Sequence, residues 1–209
     1  MSGALGPTRR LIGDRFTLAL GGGGGRGWAH IGVARALDEA GMRPSLIVGT
    51  SIGSVVGAGL AAGFSPDAIE RLAAETRINE LIGRPGRLAL FDPQRLMERM
   101  AELLGDPTFD QLPIPFAVSA YDLAAGRRVA ITSGKVVEAV QRSIAVPAFF
   151  PPCPDEQGVW CDAGPWESVP VSLARQLSPD PVIGVWIYPA KPDILASRGV
   201  AWTLRGMGR

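Results

Sequence analysis

The feature that most constrains this chain is a junction that occurs twice: a short apolar run, a glycine-flanked turn, then a segment with helical periodicity. It appears in LALGGGGGRGWAH (residues 18–30) and again in LIVGTSIGSVV (residues 46–56). An apolar run of strand length that leads straight into a helix suits a buried strand. A strand followed by a crossover helix joins a parallel neighbour, so repeated units of this kind build a sheet covered by helices. The same pattern continues along the chain. Strands are expected over residues 16–20, 45–49, 114–121, 129–132, 159–161 and 182–188. Apolar spacing at Ile31, Ala34 and Leu37, with a stop at Gly41, predicts a helix from Trp28. Further helices are expected over 54–62, from Ser65-Pro66, from Asp92-Pro93 to about 104, over 136–143 and over 171–177. The expected fold is α/β: a three-layer α/β/α domain with a mostly parallel central sheet over residues 16–190. An irregular segment, 1–15, precedes it and a tail, 191–209, comes after it.

The glycine loop admits two readings. Gly22 to Gly27 matches G-x-G-x-x-G between strand and helix, the setting of a dinucleotide-binding turn. That reading also needs an acidic residue at the end of the second strand, and Gly49-Thr50-Ser51 stands there instead; Asp38 and Glu39 fall inside the first helix. The alternative comes from the second junction. Gly49-Thr50-Ser51-Ile52-Gly53 is G-x-S-x-G on a strand-to-helix turn, a nucleophile elbow whose glycines relieve the crowding of a sharp bend. Loops after neighbouring parallel strands lie side by side at the carboxyl edge of a sheet. The glycine loop then offers N–H groups beside Ser51, where the oxyanion of a tetrahedral intermediate forms.

A serine nucleophile needs a proton acceptor. The only histidine, His30, lies on the first turn of the helix after the glycines, upstream of Ser51, where a packing or orienting role is expected. A carboxylate remains. Asp162, in VWCDAGPWESVP, comes after an apolar run and precedes glycine and proline, but spacing alone does not choose it over Asp110, Asp122 or Asp155.

Composition narrows the partners. The 209 residues suit one domain, and 46% hydrophobic with 20% charged residues suits a packed one. A net charge of +1 gives no reason to expect nucleic acid, although Arg84, Arg87, Arg127 and Arg128 fall in expected loops. No apolar stretch is long enough to span a bilayer, and the first residues lack the apolar middle of a secretion signal. The default location is the cytoplasm, with membrane contact peripheral at most. Cys153 and Cys161 form no Cys-x-x-Cys pair, and two cysteines with one histidine offer few metal ligands, so no structural metal is expected.

Taken together, these motifs resemble the patatin-like phospholipases over residues 16–188. The resemblance is carried by GGGGGRGWAHIGVARAL, GTSIGSVVGAGLAAG, FDQLPIPFAVSAYDLAAGRRV, SIAVPAFFPP and the Asp162-Ala163-Gly164 triplet. It implies hydrolysis of lipid acyl esters by a serine–aspartate dyad without histidine and without a cofactor. Carried over, Ser51 is the nucleophile and Asp162 its partner. Gly22, Gly23, Gly24, Gly25, Arg26 and Gly27 form the oxyanion loop, and Arg26 orients that loop or attracts a phosphate headgroup. Phe149, Phe150 and Trp166 flank the aspartate loop and are candidates to line an acyl slot. Two departures stand out. Ala163 replaces the usual glycine, which is strained if that position needs a positive φ, and Glu167-Ser168 stands where an asparagine is common.

Overall fold

In the computed structural model, which describes residues 6–75 and 93–188, every apolar run read from the sequence is a strand of one seven-stranded sheet. The strands are β1 (Thr17–Leu20), β2 (Leu46–Thr50), β3 (Phe116–Asp122), β4 (Arg127–Ile131), β5 (Cys153–Asp155), β6 (Gly158–Asp162) and β7 (Val182–Val185). The helices are α1 (Gly6–Ile12), α2 (Ala29–Glu39), α3 (Ile52–Ala61), α4 (Pro66–Glu75), α5 (Gln94–Leu104), α6 (Val136–Ile144) and α7 (Val171–Leu177). The core of the sheet is parallel, β7-β1-β2-β3, and β4, β6 and β5 extend it in antiparallel fashion.

Strand alternation sorts the core into two layers. Leu18, Leu20, Ile47, Phe116 and Val118 face a cluster that includes Leu37, Ala58, Met97 and Val140 of α2, α3, α5 and α6. Ala19, Val48 and Ala117 face Leu173 and Ala174 of α7. The result is the expected three-layer arrangement, with one thick helical layer and one thin one. The fully buried Leu18, Leu20 and Ile47 each contribute about 1.5–3 kcal/mol by leaving water.

The glycines of α3 set its distance from the sheet. A Cβ on Gly57 would come within 2.9 Å of the Phe116 ring. Ser65 caps α4 as the sequence predicts, its Oγ accepting the Ala68 N–H at 3.2 Å. Three expectations are corrected by the structure. Residues 6–12, expected to be irregular, form α1, with Pro7 at its first turn and Ile12 against the core. Arg127 and Arg128 lie on β4 rather than in a loop. β5 is a strand without a counterpart in the sequence pattern, because Cys-Pro-Asp carries no apolar signal and pairs only through its register with β6. Arg84 and Arg87 lie outside the described residues, as does Asp92; α5 begins just after Pro93.

The ladder along β3 brings two strand ends together. Its residues 118 and 119 pair with β2 on one edge and β4 on the other, and 120–122 pair with β4 and β6. β6 therefore docks on the same edge as β2, end to end with it. Thr50 stands opposite Ser119, and Asp162 stands opposite the next residue, Ala120. The end of β2 and the end of β6 meet at one point.

Candidate active site

Ser51 sits at that point, between β2 and the first turn of α3, with φ 54 and ψ −128. Positive φ on a serine costs on the order of 1–3 kcal/mol and persists only where neighbours hold it. Here its N–H donates to Ser143 Oγ at 2.8 Å, and its carbonyl accepts from Ser54 Oγ at 2.6 Å and Ser54 N–H at 2.8 Å. The flanking glycines are steric necessities. A Cβ on Gly49 would lie 2.5 Å from Ser54 Cα, and one on Gly53 would lie 2.3 Å from the Leu20 carbonyl oxygen.

Asp162, the last residue of β6, is 3% exposed. Burial pushes its carboxyl up to about 6, against the opposing pull of the Ser51 side chain and of a hydrogen bond from Gly164 N–H at 2.6 Å. The other aspartates considered have different duties. Asp122 Oδ1 accepts Ala124 N–H at 2.9 Å, Asp155 pairs with Arg142 at 2.7 Å and with Trp160 Nε1 at 2.8 Å, and Asp110 is exposed. Of these four aspartates, β-sheet register brings Asp162 to the end of β2.

The glycine run bends into a 3-10 turn over Gly24–Trp28, beside the elbow: a Cβ on Gly22 would be 3.3 Å from Ser51 Cβ. The N–H groups are not equivalent. Gly22 donates to the Ser168 carbonyl at 2.9 Å and Arg26 to the Gly23 carbonyl at 3.3 Å, which commits two groups expected to be free. Among the described residues, no hydrogen bond engages the N–H of Gly23, Gly24 or Gly25. Gly27 serves packing, since a Cβ there would strike Ile52 at 2.1 Å. The exposed Arg26 guanidinium lies 6.0 Å from the centroid of the Tyr188 ring. Tyr188 is close enough to Asp162 that burial and that carboxylate both push its phenol up, against the pull of Arg26.

His30 is fully buried and donates Nε2–H to the Gly21 carbonyl at 2.8 Å, while Nδ1 finds no partner among the described residues. A carbonyl only accepts, so this assigns the neutral tautomer with the proton on Nε2. Burial lowers its pKa, which keeps it uncharged. Its contact is with the entry to the glycine loop. Cys153 and Cys161 are free thiols, and burial pushes Cys161 up to about 11.

The family model for patatin-like phospholipases matches residues 18–175 of this sequence. The chain belongs to that family. An uncharacterized NTE family protein of Mycobacterium bovis is 32% identical over 174 residues, covering 82% of this chain and 48% of that protein. Lysophospholipase NTE1 of Pyricularia oryzae is 30% identical over 200 residues, covering 91% of this chain and 13% of that protein. The chain thus spans about half the length of the mycobacterial relative. The crystal structure of VipD from Legionella pneumophila superimposes with a TM-score of 0.55 at 15% identity, over 72% of this chain and 46% of that one, a likeness of fold.

Against the patatin-like pattern, the two departures are accommodated. Ala163 is fully buried and is not among the residues with positive φ, so alanine is unstrained there. The glycine that matters is Gly164, where a Cβ would be 3.0 Å from Asp162 Oδ1. Glu167 pairs with Arg128 and accepts Ser172 N–H at 2.9 Å, and Ser168 supplies the carbonyl that holds Gly22. Trp166 stacks on Tyr121 with centroids 3.6 Å apart, and Trp166 and Phe149 remain 45% and 42% exposed. Sequence reasoning misses Ser143: it lies within the SIAVPAFFPP segment, but its contact with Ser51 spans 92 residues and leaves no local signal.

Proposed function

We propose that this protein hydrolyses carboxylic esters of lipids, as a phospholipase or lysophospholipase, through a Ser51–Asp162 dyad. The observation that carries the reading is the strand register that brings the buried Asp162 carboxyl, at the end of β6, to the Ser51 elbow at the end of β2. Asp162 accepts the proton of Ser51 as Oγ attacks the acyl carbon. The carbonyl oxygen becomes an oxyanion, which the N–H groups of Gly23, Gly24 and Gly25 are free to meet. The tetrahedral intermediate collapses as Asp162 returns the proton to the leaving alcohol, giving an acyl-serine. Water, giving its proton to Asp162, then attacks the acyl carbon and the fatty acid leaves with Ser51 restored.

A carboxylate near 4 is a poor base for an alcohol, and one raised to about 6 is better matched. The positive end of α3 points at the nucleophile and helps the developing negative charge. Arg26 and Tyr188 beside the dyad suit a phosphate-bearing substrate, and the exposed Phe149 and Trp166 suit an acyl chain or peripheral contact with a lipid surface. The curated lysophospholipase relative supports the same substrate class. The dinucleotide reading of the glycine loop finds no supporting observation. Hydrolysis of lysophosphatidylcholine and of a p-nitrophenyl acyl ester, with Ser51→Ala beside the parent protein, tests the proposal. Release of fatty acid by the parent and none by the variant is expected; equal release by both overturns it.

A further inference from the structure

The end of one helix holds both members of the dyad by their backbone. Ser143, in the last turn of α6, accepts the Ser51 N–H through Oγ at 2.8 Å and donates the same hydroxyl to the Ser119 carbonyl at 2.7 Å. Two residues on, the Ala145 carbonyl accepts the Asp162 N–H at 3.0 Å. The β2–β3 pairing ends at Thr50 opposite Ser119, where the elbow leaves the strand. The Ser143 hydroxyl bridges the next amide to β3, prolonging the ladder by a side-chain rung.

We infer that Ser143 is a positioning residue for ester hydrolysis: with the Ala145 carbonyl, its hydroxyl sets the separation and aim of Ser51 relative to Asp162. The inference rests on the reading of Ser51 and Asp162 as nucleophile and base.

Three observations favour positioning over simple packing. The hydroxyl is fully buried and has both a donor and an acceptor partner. One of those partners is the amide of the residue that carries the positive φ, the least stable backbone state in the site. The same short stretch of chain also holds Asp162, so movement of α6 shifts both reacting groups, whereas loss of the Ser143 hydroxyl frees only the serine. Replacing Ser143 with alanine leaves the buried Ser51 N–H unpaired and removes the constraint on its φ. The nucleophile then drifts from its base, and a misplacement of about 1 Å already costs on the order of 100-fold in rate. Substrate binding does not pass through Ser143, so KM is unaffected.

The test compares kcat and KM on a p-nitrophenyl acyl ester, together with the thermal melt, for Ser143→Ala, Ser143→Thr and Ser45→Ala. Ser45 is a part-buried serine at the opposite edge of the sheet, bonded to the Phe16 carbonyl and Asp180. The expected result for Ser143→Ala is a loss of 10- to 100-fold in kcat, with KM within twofold. Ser143→Thr, which restores a hydroxyl, regains most of that rate, and Ser45→Ala lowers the melt without lowering kcat. If Ser143→Ala does not fold, Ser143→Cys, of similar volume, is read in its place with the same criteria. Wild-type kcat in a folded Ser143→Ala or Ser143→Cys overturns the inference, as does a folded Ser143→Thr that is as slow as alanine. Failure of the dyad itself is distinguishable, because Ser51→Ala would then retain activity.

Discussion

Asp162 is a carboxylate held where water does not reach it, and this has two measurable consequences. Its folded pKa of about 6 lies above the ordinary 3.8, so in the proposed reaction it serves as base only above pH 6. The expected profile of kcat/KM falls about tenfold per unit below pH 6, and a profile flat down to pH 4.5 would contradict the assignment. The raised pKa also means that the ionised carboxylate destabilises the fold above pH 6, and that this cost fades as pH falls toward 3.8. Asp162→Asn removes the charge. It should lower turnover by several orders of magnitude while stabilising the fold at pH 8 relative to the parent, by at most about 3 kcal/mol, with little gain near pH 4. A melt lowered equally at both values would show that the carboxylate is structural. His30 has the opposite sign: its pKa is lowered, so its contribution is present above its ordinary 6.5 and is lost as pH falls. Because it touches the Gly21 carbonyl and not the dyad, His30→Ala should slow turnover about tenfold and His30→Gln by less. A drop of about 10⁴ in a folded variant would make the histidine the base instead.

At the scale of elements, the parallel units were legible because each couples two signals, an apolar run of strand length and a glycine turn that leads into a helix. Both junction turns lie where the sequence placed them, and the glycines of the elbow have the steric role predicted for them. What was not legible was non-local. Spacing did not separate Asp162 from Asp110, Asp122 or Asp155, because its position at the elbow depends on β6 docking antiparallel beyond the end of β2. The commitment of the Gly22 N–H depends on Ser168, far along the chain. β5, with proline and aspartate in three residues, carries no pattern of its own. The close approach of α3 to β1 yields a prediction at this scale. Gly53→Ala puts a methyl against two backbone carbonyls that cannot move aside, and should cost about 3 kcal/mol or more in chemical denaturation. Gly25→Ala, with nothing within 4 Å of its Cβ, should change stability by less than about 0.5 kcal/mol. Equal effects of the two would mean that α3 does not pack as described.

For the molecule as a whole, family and layers agree. The match over residues 18–175 begins in β1 and ends in α7, so it contains the glycine loop, the elbow, Ser143 and Asp162 together. Among the described residues no helix is long and apolar enough to cross a membrane. Every step of the proposed reaction uses a group of the chain itself, so turnover should be the same in EDTA and in millimolar calcium; loss in EDTA restored by calcium would require a different mechanism. A fluorophosphonate probe, with peptide mapping of the labelled protein, decides whether Ser51 is the nucleophile that Asp162 activates. Modification at Ser51 alone, greatly slowed in Asp162→Asn and absent in Ser51→Ala, is the predicted result. Labelling at another serine, or labelling of Ser51 at an unchanged rate in Asp162→Asn, would contradict it.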